Sequence, residues 1–253
     1  MFVDYNYDMK LAICIPAFNE EQTIGRVIEA IPREIPGVSL MKVFVVDDGS
    51  TDHTQKVATQ TAVGLGREKY FLEIVEVKPN KGLANAFLTG IKKALSWGAE
   101  VIVNIDADGQ YRSEEIGLLL EPILKSEADM AIGDRQVRRL EFMSPAKKYG
   151  NMVGSWFLRR LTGVHVRDAS SGFRAYTRAA AKEIQVYSKH TYTHENLIQA
   201  HYLGLRIAEV PVTFISRPDG NSSRLIRGVL NHIFKSLKGI FAAWRRWRRN
   251  AKK

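Results

Sequence analysis

The chain of 253 residues holds one cysteine, Cys14, inside the apolar run Leu11-Ala12-Ile13-Cys14-Ile15. No internal disulfide can form, and a lone thiol in such a run reads as a small buried hydrophobe in a reducing compartment. No stretch reaches the ~20 consecutive apolar residues that a membrane-crossing helix needs, so none is expected. Met1-Phe2-Val3-Asp4-Tyr5 lacks the basic start and apolar core of a signal peptide. Linkers rich in Gly, Ser or Pro, internal repeats and low-complexity blocks are missing too. Residues 225–253 carry nine Lys and Arg and no acid, so the net charge of +10 sits in the tail and the body is close to neutral. A nucleic-acid enzyme would spread basic residues over a binding face, and no nucleic-acid partner is expected.

What the chain does have is apolar runs alternating with helical patterns. Strands are predicted over 10–16, 43–46, 71–77, 101–105 and 130–133, their continuous apolar character suiting strands covered on both faces. Helices are predicted after the first strand, after Asp47-Asp48-Gly49-Ser50 with Ser50 or Thr51 as cap, over 82–97, and over 113–125 with Ser113 as cap. This order implies a mostly parallel, doubly wound α/β sheet through about residue 134. Beyond it, 145–162 and 195–203 read as helices, 169–176 as a strand or turn, and 206–214, which contains Pro211, as an edge strand. The simplest organisation is one domain over 1–224 with a helical extension over 225–253.

The strand ends carry the chemistry. Ile105-Asp106-Ala107-Asp108-Gly109-Gln110 closes the fourth strand, and alternation along an extended chain would point Asp106 and Asp108 the same way. Two such carboxylates can share a hard cation, Mg²⁺ or Mn²⁺, with substrate phosphates, which suggests a nucleotide diphosphate. Ligands of open α/β sheets bind at the carboxyl ends of strands. Pro16-Ala17-Phe18-Asn19-Glu20 closes strand one, where backbone groups and Glu20 can meet a nucleotide. Asp47-Asp48-Gly49-Ser50-Thr51-Asp52 closes strand two; its carboxylates suit ribose hydroxyls or a base N–H, and equally suit a plain turn. Lys81 follows strand three, as a phosphate contact or a solvated charge.

Together these elements resemble the family 2 glycosyltransferases of the GT-A fold. Gly133-Asp134-Arg135, Asp168-Ala169-Ser170-Ser171-Gly172-Phe173-Arg174 and Arg217-Pro218-Asp219-Gly220-Asn221-Ser222-Ser223-Arg224 narrow the likeness to the polyprenol-phosphate glycosyltransferases. The resemblance implies a metal-dependent hexosyltransferase, working with Mg²⁺ or Mn²⁺, that passes one sugar from a nucleotide-sugar, GDP-mannose or a UDP-sugar, to a polyprenyl or dolichyl phosphate. By it Pro16, Ala17, Phe18, Asn19, Glu20, Asp47, Asp48 and Lys81 would bind the donor, and Asp106, Asp108 and Gln110 would hold metal and diphosphate. Arg135 would meet the lipid phosphate, with Arg217 and Arg224 as mobile clamps. The chain departs from the pattern at Gly109, where many members carry Leu. Thr193-His194-Glu195 falls where members with hydroxyl acceptors place a base, so Glu195 is either that base, in a rival saccharide or protein glycosylation, or a first-turn acid of a helix. A nucleotidyltransferase, which also uses paired carboxylates and metal, is a further alternative.

The tail repeats apolar residues at steps of three and four: Ile226, Val229, Leu230, Ile233, Phe234, Leu237, Ile240, Phe241, Trp244 and Trp247. Such a stripe either docks on the protein or lies in a headgroup plane. Each unopposed Lys or Arg near an anionic surface contributes about 1 kcal/mol. The membrane reading is favoured, with the enzyme peripheral on the cytoplasmic face. Met152, Val153, Trp156 and Phe157 read as core, with a second membrane surface as rival.

Overall fold

The structure, a computed structural model, describes residues 9–63, 70–188, 192–218 and 229–250, with the side chains of Tyr70, 229–236 and Asn250 set aside. A seven-stranded sheet forms its centre: β1 (Met9–Ala17), β2 (Val38–Asp47), β3 (Tyr70–Glu76), β4 (Val101–Asn104), β5 (Met130–Asp134), β6 (Arg174–Thr177) and β7 (Ile207–Pro211). Their spatial order is β3-β2-β1-β4-β6-β5-β7. All pairings are parallel except those of β6, which runs antiparallel to both β4 and β5. The predicted strands are all present, and the one containing Pro211 is indeed at the edge, with Pro211 as its last residue.

Period-two alternation divides β1 between two cores. Leu11, Ile13 and Ile15 face the cluster built with α1 (Ile24–Glu29), α2 (Thr54–Val63) and α4 (Ile116–Leu124). Ala12 and Cys14 face the cluster built with α3 (Leu83–Trp97), α5 (Pro145–Thr162), α6 (Arg178–Glu183), α7 (Thr193–Tyr202) and α8 (Val229–Asn250). Every residue of β1 except Lys10 is buried, as the continuous apolar run requires of a central strand.

Two predicted caps are corrected. Neither Ser50 nor Thr51 caps α2: Ser50 donates to Asp47, and it is the Asp52 carboxylate that accepts from the Thr54 amide at 2.9 Å. Ser113 Oγ turns away from its helix and donates to the Val27 carbonyl at 2.9 Å. Of 145–162, Leu158 is buried and Phe157 packs on the core, but Trp156 is 57% exposed, against its reading as core.

The tail helix docks. Ile240, Ala243 and Trp247 of α8 are buried against α5 and α7, while Phe241 is exposed and Trp244 half-buried. The step-of-four stripe therefore splits, its inner edge closing the second core and its outer edge turned outward. Arg245 lies over Phe241 and Arg248 over Trp244, at 5.9 and 5.0 Å from the ring centroids. The side chains of Ile226, Val229, Leu230, Ile233 and Phe234 lie outside the described residues.

Candidate active site

The carboxyl ends of β1, β2, β4, β5 and β7 reach one rim of the sheet. Because β6 is reversed, Arg174 opposes Asn104, and the loop that precedes β6 arrives at that rim as well. A cavity of about 300 Å³ opens there, lined by Pro16, Ala17, Phe18, Glu20, Asp48, Asn80, Gly82, Leu83, Ala86, Asp106, Ala107, Asp108 and Arg217.

Asp106 and Asp108 share this cavity through a turn, since β4 ends at Asn104 and strand alternation does not extend to them. Asp108 accepts the Gln110 amide at 3.1 Å. The Asp106 carboxyl rests against the backbone of Gly172, where a Cβ would come within 2.7 Å of Oδ2, so any side chain there would push the carboxylate aside. Burial first, and the nearby Asp108 charge second, push the Asp106 carboxyl up to about 7. Such a pair suits a hard divalent cation, which relieves the repulsion and takes its other oxygens from phosphate. Among the described residues no three or more His, Cys, Asp or Glu side chains converge as a metal cluster.

Glu20 forms the opposite wall. Its carboxylate accepts from Thr23 Oγ1 at 3.1 Å and pairs with Arg217 Nη2 at 2.5 Å, while Arg217 Nη1 lies 3.9 Å from Asp108. Burial raises the Glu20 carboxyl and Arg217 pulls it back. The 212–218 segment reaches the site by clasping the 106–110 turn. Ile215 N–H donates to the Gln110 carbonyl, Gln110 Nε2 donates to the Ile215 carbonyl, both at 2.9 Å, and Phe214 packs edge-on against Tyr111.

Several expected donor residues serve the walls instead. Asp47 is fully buried and spent on the Ser50 hydroxyl and amide and on Gln55 Nε2, so it shapes the turn and does not line the cavity. Asp48 does line it, but its two oxygens accept the Lys81 and Gly82 amides at 2.9 and 2.7 Å. Lys81 contributes that amide, and its side chain is exposed. Asn19 braces the loop by accepting the Thr51 amide at 2.7 Å. Gln110 is committed to Ile215. Arg224 lies outside the described residues.

Arg135, just past β5, is held beside the cavity. Nε and Nη2 bond Asp168 at 2.5 and 2.8 Å, Nη2 also reaches Ser170 at 2.7 Å, and the guanidinium sits 5.0 Å from the Phe214 ring centre. Asn151 of α5 donates to both Asp168 and Ser170. Burial alone would raise the Asp168 carboxyl, but Arg135 wins and holds it low. The same pairing outweighs burial at Arg135 and keeps its cation firmly charged. Sequence reading missed this bracket; Asp168 and Ser170 were visible in the motif, whereas Asn151 gave no signal. It also missed Arg174, fully buried and donating to the carbonyls of Ala169, Ser171 and Thr193 at 2.8–2.9 Å, which fixes the loop against α7.

Glu195 is not in the cavity. Its Oε2 accepts the Tyr187 and Ser188 amides, each at 3.0 Å, and Oε1 lies 3.3 Å from Arg246 of α8. Arg246 also lies 4.0 Å from the Tyr187 ring centre. These bonds occupy both oxygens, which argues against a base there and for a clasp on the tail helix.

A GT-A-like α/β sheet with paired acids on its rim defines a glycosyltransferase class, and comparison agrees. The family model described as "Glycosyl transferase family 2" matches residues 12–185, and the chain belongs to that family. It is 32% identical to the UDP-N-acetylglucosamine–dolichyl-phosphate N-acetylglucosaminyltransferase of Methanococcus voltae, over 82% of this chain and 86% of that one. It is 29% identical to the undecaprenyl-phosphate mannosyltransferase of Micrococcus luteus, over 93% and 96%. In fold it is similar to glucosyl-3-phosphoglycerate synthase of Mycobacterium tuberculosis, solved with Mn²⁺, UDP-glucose and phosphoglyceric acid. That likeness has a TM-score of 0.68 at 20% identity, covering 94% of this chain and 79% of the other. Both of these curated relatives are named as polyprenyl-phosphate sugar transferases, and this chain is a transferase of their family.

Proposed function

We propose that the protein moves one sugar from a nucleotide-sugar, a GDP- or UDP-hexose, to a polyprenyl phosphate, inverting the anomeric carbon, on the cytoplasmic face of a membrane. The observation that supports this reading is Arg135, a cation that Asp168 and Ser170 hold in one orientation beside the paired acids, where it would face an acceptor phosphate. A phosphate monoester is already ionised near neutral pH and needs no strong base.

Pro16, Ala17, Phe18, Glu20 and Asp48 form the donor wall, with Asn19, Asp47 and the Lys81 amide supporting it from behind. Asp106 and Asp108 would hold Mg²⁺ or Mn²⁺, and the cation would offset charge on the departing diphosphate. An acceptor phosphate oxygen attacks the anomeric carbon, the bond to the diphosphate breaks, and the nucleoside diphosphate leaves. Arg135 orients the acceptor and offsets repulsion between the two phosphates, with Arg217 and Arg224 as further phosphate contacts. Phe241 and Trp244, beneath Arg245 and Arg248, are suited to an anionic headgroup plane, as is the exposed Trp156 of α5.

The test is to incubate the protein with GDP- and UDP-sugars, Mn²⁺, and either phytanyl phosphate or phytanol, and to read product masses. Transfer to the phosphate alone is expected. Transfer only to hydroxyl acceptors, or release of pyrophosphate, overturns the reading.

A further inference from the structure

We infer that Arg217 is a built-in competitor for the cation: its guanidinium counters the charge of Glu20 and Asp108, and a cation and donor entering the cavity displace it. This deepens the reading of Asp106 and Asp108 as cation ligands and rests on it. The guanidinium is 7% exposed, bonded to Glu20 at 2.5 Å and 3.9 Å from Asp108, so it spans the two walls between which a diphosphate would lie. Arginine cannot shed its charge, so only movement can clear it. The reciprocal bonds between Gln110 and Ile215 tether the segment to the 106–110 turn itself. Gly109, in that turn, has a φ of +70°, which favours glycine, and a Cβ there would lie in ordinary contact with Pro218 at 3.4 Å.

Two consequences follow. Cation binding is weakened until a diphosphate supplies the missing negative charge, so cation and donor enter as a unit. The displaced guanidinium stays tethered at the rim, where an incoming phosphate meets it, so the donor precedes the acceptor.

The full chain would be titrated with Mn²⁺ alone and with GDP or UDP added, following the electron paramagnetic signal of free Mn²⁺. Wild type would be compared with Arg217→Gln, Arg217→Lys and Asp108→Asn. The glutamine variant is expected to bind Mn²⁺ about tenfold more tightly without nucleotide, because a nearby partly buried like charge is removed. Nucleotide should shrink that difference. The lysine variant keeps the charge but not the reach, should show a smaller gain, and carries the comparison if the glutamine variant fails to fold. Equal or weaker Mn²⁺ binding in both Arg217 variants overturns the inference and leaves the ligand pair standing. No Mn²⁺ binding in any protein with nucleotide present, or unchanged binding in Asp108→Asn, overturns the ligand assignment and this inference together.

Discussion

Replacing Glu195 with Gln separates two chemistries. As a general base Glu195 would contribute about 10²–10⁴-fold to the rate. As a clasp it contributes to stability, and the size can be worked out. Gln can still offer one oxygen to the Tyr187 and Ser188 amides, but those bonds lose their charge assistance. Bonds to charged groups contribute about 1.5–3 kcal/mol against 0.5–1.5 for neutral ones, roughly 1 kcal/mol lost per bond and about 2 across the amide pair. The ion pair with Arg246, whose side chain is 43% exposed, adds at most about 1 kcal/mol after screening. The sum of about 3 kcal/mol corresponds to a melting temperature lower by about 6–12 °C for a chain of this size. Thermal melts by circular dichroism and radiolabelled transfer to phytanyl phosphate, measured well below the melt, check both halves. The expected result is a lower melt with kcat within about threefold of wild type. A hundredfold loss of kcat at unchanged stability would refute the clasp and restore the base.

Other substitutions probe the remaining parts. Asp108→Asn should abolish sugar transfer and Mn²⁺-dependent nucleotide binding while leaving the melt in place, checked by transfer assay and calorimetry. Asp168→Asn leaves Arg135 buried without its counter-charge and should cost about 3–5 kcal/mol in denaturant unfolding. Because the Asp168 carboxyl is held low, its pair contributes fully above about pH 4, the unfolded value, and is lost as pH falls through the lower folded value, so the gap between variant and wild type should narrow in acid. Asp106 titrates the other way: raised to about 7, it favours the metal-free fold below about pH 4 and loses that advantage as pH climbs through 7, so Mn²⁺ should raise the melt more at pH 8 than at pH 6. Phe241→Ser with Trp244→Ser should cut sedimentation with anionic vesicles without unfolding the protein. Truncation at Arg224, by contrast, should lower the melt, because it strips Ile240, Ala243 and Trp247 from the core.

The sheet was legible because buried parallel strands need unbroken apolar runs, and 10–16, 43–46 and 101–105 have them. The rim was legible because acids at strand ends stand out against such runs. Side-chain allegiance was not. Nothing local distinguishes Asp47, turned inward to Ser50 and Gln55, from Asp48, which walls the cavity. Neither does periodicity reveal that Asn151, Asp168 and Ser170 meet around Arg135, since those bonds close over 17–35 residues of chain. The tail stripe was readable as amphipathic, but whether protein or lipid covers it depends on α5 and α7, which the tail's own residues do not encode. The structure gives the inner edge to protein.

The reversed strand β6 has an architectural consequence. It stands between β4, which delivers the paired acids, and β5, which delivers Arg135, and its leading loop supplies the bracket for that arginine. On the proposed function, donor and acceptor phosphate would be met by residues on either side of that strand, knitted together where Gly172 backs Asp106 and Arg217 pairs with Glu20.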